Sequence, residues 1–374
     1  LPEPAVTWLH QALLIFLLML MPVIPADLVI LIRNLIDGRP SRRLIAAGFS
    51  VTSLYLLLLV FAQVFTTVYD YIPVVGPFFR DRFYLVFLAI GIVLTLSVLF
   101  MRQGKPAVTE TAGETSDRSR KMMPVLIALI PVITIAGVLL TAAKPAVPQQ
   151  APASLKIITY NVQQGYNADG LRAFDEQLAL LRAVDADIIG LQECDTARIA
   201  GGNADIVKYF ADKLNLYSYY GPKTVTGTFG IALLSKYPIE DQQTVYLYSL
   251  GEQTALIDAR ITVSDKTWNI FVTHLGNGGP LFQQEGVMEA VADRENVILM
   301  GDFNFRPDTA QYQLTTSTLA DSWLLRWPQG NENQGIDPAR RIDHIFVSPD
   351  IRVIESTYLP GPQSDHPAMV TEIG

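Results

Sequence analysis

The chain has 374 residues, of which 50% are hydrophobic and 17% charged, with a single cysteine, Cys194, and a net charge of −8. This composition excludes a disordered tail, a collagen-like repeat and a small disulfide scaffold. The charge is unevenly divided. Residues 1–154 carry 12 Lys/Arg and 8 Asp/Glu, net +4, whereas residues 155–374 carry 16 and 28, net −12. A basic, apolar first part and an acidic, ordinary second part predict a membrane region joined to a soluble domain. Leu1 in the place of a Met points to sequence upstream.

Four apolar stretches, 8–32, 44–68, 83–101 and 123–143, fill the first part. A bilayer core of ~30 Å takes about 20 apolar residues of helix, so about four transmembrane helices are expected within residues 1–143. The first stretch is interrupted by Pro22, Pro25 and Asp27, as a kinked or re-entrant segment would be. Asp27 lies near Arg33 and reads as interfacial. Basic residues crowd the loops at 33–43 and 102–122, which favours the cytoplasmic side for both. The chain after residue 143 then emerges on the extracytoplasmic or lumenal side. Residues 144–154, KPAVPQQAPAS, read as a short Pro-rich linker.

Residues 155–374 suffice for one domain with a large core. Strands are predicted at 155–161, 187–192, 230–235, 255–263, 268–274, 297–302, 342–348 and 367–373, and helices at 171–184 and 204–214. Periodicity leaves two architectures open, a parallel α/β fold and a two-sheet sandwich flanked by helices.

Polar residues gather at the ends of the predicted strands. Asn161 closes the first, Glu193 follows the second, and His274 closes VTH. Asp302 and Asn304 follow VILM, Asp343 opens RIDHIF, and Asp365 and His366 precede the last strand. Each alone reads as a turn, loop or edge residue. Gathered at one rim, they suit hydrolysis of a phosphate ester. Carboxylate and amide oxygens match Mg²⁺, with Mn²⁺ as the alternative. Histidine donates to phosphate oxygens and exchanges protons near neutral pH. Asparagine offers an N–H without adding negative charge. His344 follows Asp343 in a strand, where side chains alternate, so it is expected to face away from the site.

The stretches ITYNVQQG (158–165), IIGLQE (188–193), GIALLSKYPI (230–239), FVTHL (271–275), ILMGDFN (298–304), RIDHIFV (341–347) and SDHPAMV (364–370) together resemble the exonuclease–endonuclease–phosphatase, or DNase I-like, superfamily. The resemblance implies an α/β two-sheet sandwich over 155–374 with the site at one end. It implies that Asn161 and Glu193 hold Mg²⁺, with Asp365 at a second position, and that Asp302 orients or deprotonates the attacking water. It further implies that Asn304 and His274 stabilise the pentacovalent phosphate and that Asp343 and His366 form a carboxylate–imidazole pair. The runs 197–239 and 250–256 are similar to the C-terminal domain of GPI-anchor ceramide-remodelling proteins, the PGAP2-interacting protein family, which also join membrane spans to such a domain. Within that run, Asn203 is expected to cap the 204–214 helix, with Asp205 in its first turn.

These features predict a membrane-tethered Mg²⁺-dependent phosphodiesterase acting on a membrane lipid or lipid-linked phosphate. The alternatives are a membrane-anchored nuclease, a polyprenyl pyrophosphate phosphatase, and an inactive binding module. The acidic domain, whose one adjacent basic pair is Arg340–Arg341, argues against a nucleic-acid partner. The intact polar set argues against an inactive module.

Overall fold

The computed structural model describes residues 23–67, 139–149, 152–194, 204–221, 230–249, 253–330 and 334–374, with scattered positions elsewhere. The chain divides into an apolar helical unit drawn from residues within 4–142 and an α/β unit containing Ala143–Gly374.

In the apolar unit, helices α1 (Val23–Asp37) and α2 (Arg42–Thr67) are described. Ser41 starts α2, its hydroxyl accepting from Leu44 N at 3.3 Å. Within α2, Arg42–Val60 has a mean hydropathy of 1.9 and buries none of its residues inside the protein. Among the described residues it is the one helix long and apolar enough to cross a membrane. Helix α1 has 15 residues and starts well inside the predicted 8–32 stretch. At 1.5 Å per residue it falls short of a bilayer core. Most of the remainder of that stretch, and about half of the third and of the fourth, lie outside the described residues.

The α/β unit is a sandwich of two six-stranded sheets, which decides between the two architectures left open above. Strands β1 (Leu155–Asn161), β2 (Ile188–Gln192), β3 (Tyr217–Tyr220) and β4 (Ala232–Ser235) join β11 (Val353–Leu359) and β12 (Ala368–Ile373) in the order β11-β12-β1-β2-β4-β3. Strands β5 (Ile239–Tyr246), β6 (Ala255–Val263), β7 (Lys266–His274), β8 (Val297–Asp302), β9 (Ala320–Asp321) and β10 (Asp343–Val347) form the second sheet, in the order β5-β6-β7-β8-β10-β9. Only β1–β2 and β7–β8 run parallel; the other pairs are antiparallel.

The inner faces meet in one apolar layer, where Ile157, Ile188, Leu233 and Met369 of the first sheet pack on Ile257, Val272, Met300 and Ile345 of the second. Gly190 lets them approach: a Cβ there would lie 2.6 Å from Met300 Sδ. The outer face of the first sheet is covered by α3 (Phe174–Val184) and α4 (Ile206–Leu214), through Leu178, Leu181 and Phe210. Helix α5 (Leu281–Val291) buries Val287 and Val291 against the second, beside Tyr312 of α6 (Ala310–Thr316). The central strands are thus buried on both sides, which is why they read as continuous apolar runs.

Two helix starts differ from expectation. Helix α3 begins at Phe174, and Leu171 is exposed in a turn closed by Asn167, whose Oδ1 accepts from Leu171 N at 2.8 Å. Helix α4 is capped by Asp205, whose carboxylate accepts from Lys208 N. The cap is therefore Asp205, with its aspartate oxygen poised for the orphan N–H groups; Asn203 lies outside the described residues. The predicted linker begins against the domain, with Ala143 N and Lys144 N donating to Asp212 and Asn215 at the end of α4.

Candidate active site

Strand register gathers the rim residues. Parallel pairing sets Asn161 beside Gln192, and so next to Glu193; it also sets His274 beside Asp302. Antiparallel β10 begins at that same end, with Asp343 opposite Asp302. Strand β12 also begins there, so His366 arrives beside the end of β1.

Side-chain bonds knit this end of the sandwich. Asn161 Nδ2 donates to Asp302 Oδ2 at 3.0 Å and to Glu193 Oε1 at 3.2 Å. Asn304 N donates to the other Asp302 oxygen at 3.0 Å, and Asn304 Nδ2 lies 3.3 Å from His274 Nε2. His366 Nδ1 donates to Asp343 Oδ2 at 2.8 Å, which leaves Nε2 facing Asp302 Oδ2 at 3.7 Å. His274 Nε2 stands 3.6 Å from that same oxygen. Asp302 is the hub, 1% exposed. Asp365 is exposed, its Oδ1 3.4 Å from Ser364 Oγ.

Several rim residues adopt left-handed backbone: Gln163 (φ 45°), Gln164 (φ 55°), Glu193 (φ 52°) and Asn304 (φ 54°). For residues with a Cβ this costs about 1–2 kcal/mol each, a strain characteristic of functional sites. At Glu193 it turns the carboxylate back towards Asn161.

Residues 158–366, more than half of the chain, match the Endonuclease/Exonuclease/phosphatase family. The chain belongs to that family.

Over 97 residues it is 36% identical to Protein cwh43 of Schizosaccharomyces pombe, a stretch that makes up 26% of this chain and 10% of that protein. An endonuclease/exonuclease/phosphatase family protein from Bacteroides thetaiotaomicron is similar at 19% identity and a TM-score of 0.48, over 60% of this chain and 98% of the other. The human Nocturnin catalytic domain, with a bound sulfate anion, is similar at 19% identity and a TM-score of 0.47, over 59% and 94%.

Members of this endonuclease/exonuclease/phosphatase family use a divalent cation, and the residues present here suit one. Asp302, Asp343 and His366 offer ligand atoms within 4.8 Å of one another. Asp343 Oδ1 is buried without a hydrogen-bond partner. The Glu193 and Asp302 carboxylates converge on one side-chain amide, Asn161 Nδ2. Such concentrated, oxygen-rich negative charge is what a hard cation offsets.

The electrostatics follow from burial and crowding. Burial pushes the Asp343 carboxyl up to about 6, against the pull of His366. Burial alone would lower His366, but Asp343, then Asp302 and Asp365, outweigh it and raise the imidazole to about 10. His344 is the contrasting case. Fully buried and packed among Phe303, Phe305, Tyr312 and Phe346, it faces away from the site, as strand alternation predicts. Burial first, then Arg341, lower it from 6.5 to about 4. The unfolded chain therefore binds a proton between those values that the folded chain does not. Stability should fall by up to roughly 3 kcal/mol as the pH drops from 6.5 towards 4. Urea unfolding of the wild type and of His344→Phe across this window measures the difference; equal acid losses in both would exonerate His344.

Ser364 and Gln177 escaped the sequence reading. Ser364 Oγ donates to Asn161 O at 2.8 Å and accepts from His366 N at 3.2 Å, linking the first and last motifs. Its place in SDHP was the available signal. Gln177 Nε2 donates to Val162 O and Gln363 O, tying α3 to both site loops. Its place on the apolar stripe of α3, between Phe174 and Leu181, hid it.

Proposed function

We propose that the protein is a membrane-tethered, divalent-metal-dependent phosphodiesterase acting on a lipid-linked phosphate of the GPI-anchor or ceramide-remodelling type. The observation that carries this reading is the joining of Asn161, Glu193, His274, Asp302, Asn304, Asp343 and His366 by contacts of 2.8–3.7 Å at one end of the sandwich. Asn161 and Glu193 would hold Mg²⁺, or Mn²⁺ in its place, with Asp365 at a second position. When bound, the cation supplies Lewis-acid polarisation of a phosphoryl oxygen and offsets its developing charge.

The chain's own groups perform the remaining work. Asp302 orients the attacking water and accepts its proton, while amide donors on both of its oxygens fix the carboxylate plane. Asn304 Nδ2 and His274 Nε2, adjacent to each other, donate to the equatorial oxygens of the pentacovalent phosphate. Asp343 engages Nδ1 of His366 and so aims Nε2 into the site, where it donates to a phosphoryl oxygen.

Three features support a lipid substrate. The Arg42–Val60 helix has the length and hydropathy of a membrane span, and the four apolar stretches together form the proposed membrane region of residues 1–143. The runs similar to GPI-anchor remodelling proteins, and the partial likeness to Protein cwh43, point the same way. The catalytic domain is acidic, and tethering raises the effective concentration of lipid head groups to the millimolar scale without a basic surface. In this reading the basic loops favour the extracytoplasmic or lumenal side for the domain. The deciding experiment compares GPI-like lipids, sphingomyelin, polyprenyl pyrophosphate and plasmid DNA as substrates of the full chain in Mg²⁺. Turnover of a lipid phosphodiester is expected. Preferential cleavage of DNA would replace this reading with a membrane-anchored nuclease.

A further inference from the structure

The Asp343–His366 pair bridges the two sheets, since Asp343 opens β10 of the second sheet and His366 precedes β12 of the first. Its 2.8 Å bond therefore depends on how the sheets are registered at this end. Phe303 N donates to Ile342 O at 2.9 Å. With Asp343 opposite Asp302, this makes the two aspartates a non-hydrogen-bonded antiparallel pair. The side chains of such a pair lie close together, and its backbone groups point away from the partner strand.

The Asp343 carbonyl accordingly faces the far side of β10. There β9 pairs only with Phe346 and Val347 and does not reach Asp343. The Tyr358 hydroxyl takes the place of the missing ladder donor, donating to Asp343 O at 2.6 Å. Tyr358 belongs to β11 of the first sheet and is 2% exposed. This bond is thus a second tether across the gap that the aspartate–imidazole bond spans.

A buried ion pair orients the hydroxyl. Arg341 Nη1 lies 3.4 Å from the Tyr358 oxygen, and Nη2 donates to Asp321 Oδ2 at 2.9 Å. The guanidinium sits 4.4 Å over the Trp323 ring. Asp321 is held in turn by Tyr312 Oη at 2.7 Å and by Trp323 N at 2.9 Å. Both charges are buried, so neither partner can leave the pair without stranding the other in the interior.

We propose that Tyr358, oriented by Arg341 and Asp321, is a positioning residue of the active site that ties the first sheet to the Asp343 main chain and so fixes the carboxylate against His366 Nδ1. A catalytic contact displaced by about 1 Å can cost on the order of 10² in rate. The kinetic arm of the test rests on the proposed phosphodiesterase reading; the spectroscopic arm does not.

Tyr358→Phe removes the hydroxyl and keeps the ring that packs edge-on to Trp323 at 6.4 Å. The full chain in detergent, labelled with ¹⁵N-histidine, reports the His366 Nδ1–H proton, assigned by its loss in His366→Ala. In Tyr358→Phe this resonance is expected to shift or broaden. The kcat for bis(p-nitrophenyl) phosphate in Mg²⁺ is expected to fall about tenfold or more, with KM changed by less than about twofold. An unmoved resonance with kcat within about twofold would reduce Tyr358 to a packing residue, even if the unfolding temperature fell. If Tyr358→Phe fails to fold, Arg341→Lys, which keeps a charge beside Asp321 but withdraws the planar donor from Tyr358, is read in the same way. A wild-type chain inert on this diester and on every lipid phosphodiester would sink the proposed function, whereas a displaced His366 resonance in Tyr358→Phe would still uphold the positioning role.

Discussion

His366→Ala should lower phosphodiester turnover by about 10²–10⁴, the range lost when positioned proton-transfer help is removed. The expectation comes from the geometry of one imidazole. Its Nδ1 is committed to Asp343 at 2.8 Å, so Nε2 is the nitrogen left for substrate. Alanine removes the donor and also deprives Asp343, whose Oδ1 is already unpartnered, of its remaining side-chain partner. Part of the effect should therefore appear as lost stability, because a buried carboxylate without a partner is costly. Asp343→Asn separates the two contributions. It keeps a polar group beside the imidazole and removes the charge that orients it. If the pair acts as a unit, the double variant should be hardly slower than His366→Ala alone. Turnover is measured with a lipid phosphodiester or bis(p-nitrophenyl) phosphate in Mg²⁺. A change below about threefold would place His366 outside the chemistry.

Glu193→Ala should reduce turnover to the level seen after chelation of the metal, while leaving the fold intact. Glu193 is half-buried at the end of β2, outside the apolar layer between the sheets. Its left-handed backbone (φ 52°) carries the same strain for alanine as for glutamate, so the substitution adds none. What it removes is one of the two carboxylates gathered on Asn161 Nδ2, and with it a hard oxygen ligand. Titrating Mg²⁺ against turnover, with circular dichroism as the control for folding, reads the effect. Undiminished activity of the wild type in EDTA would overturn the metal assignment, and normal Mg²⁺ dependence in Glu193→Ala would remove Glu193 from it.

Much of this architecture is written locally. Strands β1, β6 and β8 have the limits expected from their apolar runs, and β2, β4, β7, β10 and β12 lie within about two residues of theirs, because strands covered on both faces need apolar side chains at nearly every position. The residues that follow those runs form the site rim, since parallel pairing brings the ends of neighbouring strands together. Other elements carry no such signature. Strand β5 runs through Glu240, Asp241, Gln242 and Gln243, all exposed at the sheet edge, and β3 and β11 are edge strands of mixed character. Their identity comes from the strands they pair with. Helix α5, LFQQEGVMEAV, lacks a clear apolar stripe because Gln283 and Gln284 are buried, Gln283 bonded to Gly276 and Gln284 to Thr315.

By itself, then, the sequence determined which segments are core strands, which polar residues stand at their ends, and that an apolar first part precedes an acidic domain. The resemblance already paired Asp343 with His366; tertiary structure decided that the pair spans the two sheets, that Ser364 links Asn161 to His366, and that Tyr358 completes the β10 edge. The division has a physical cause. Burial on both faces imprints itself on every residue of a strand, whereas a bond between side chains distant in sequence depends on register and inter-sheet packing, which only the folded chain defines.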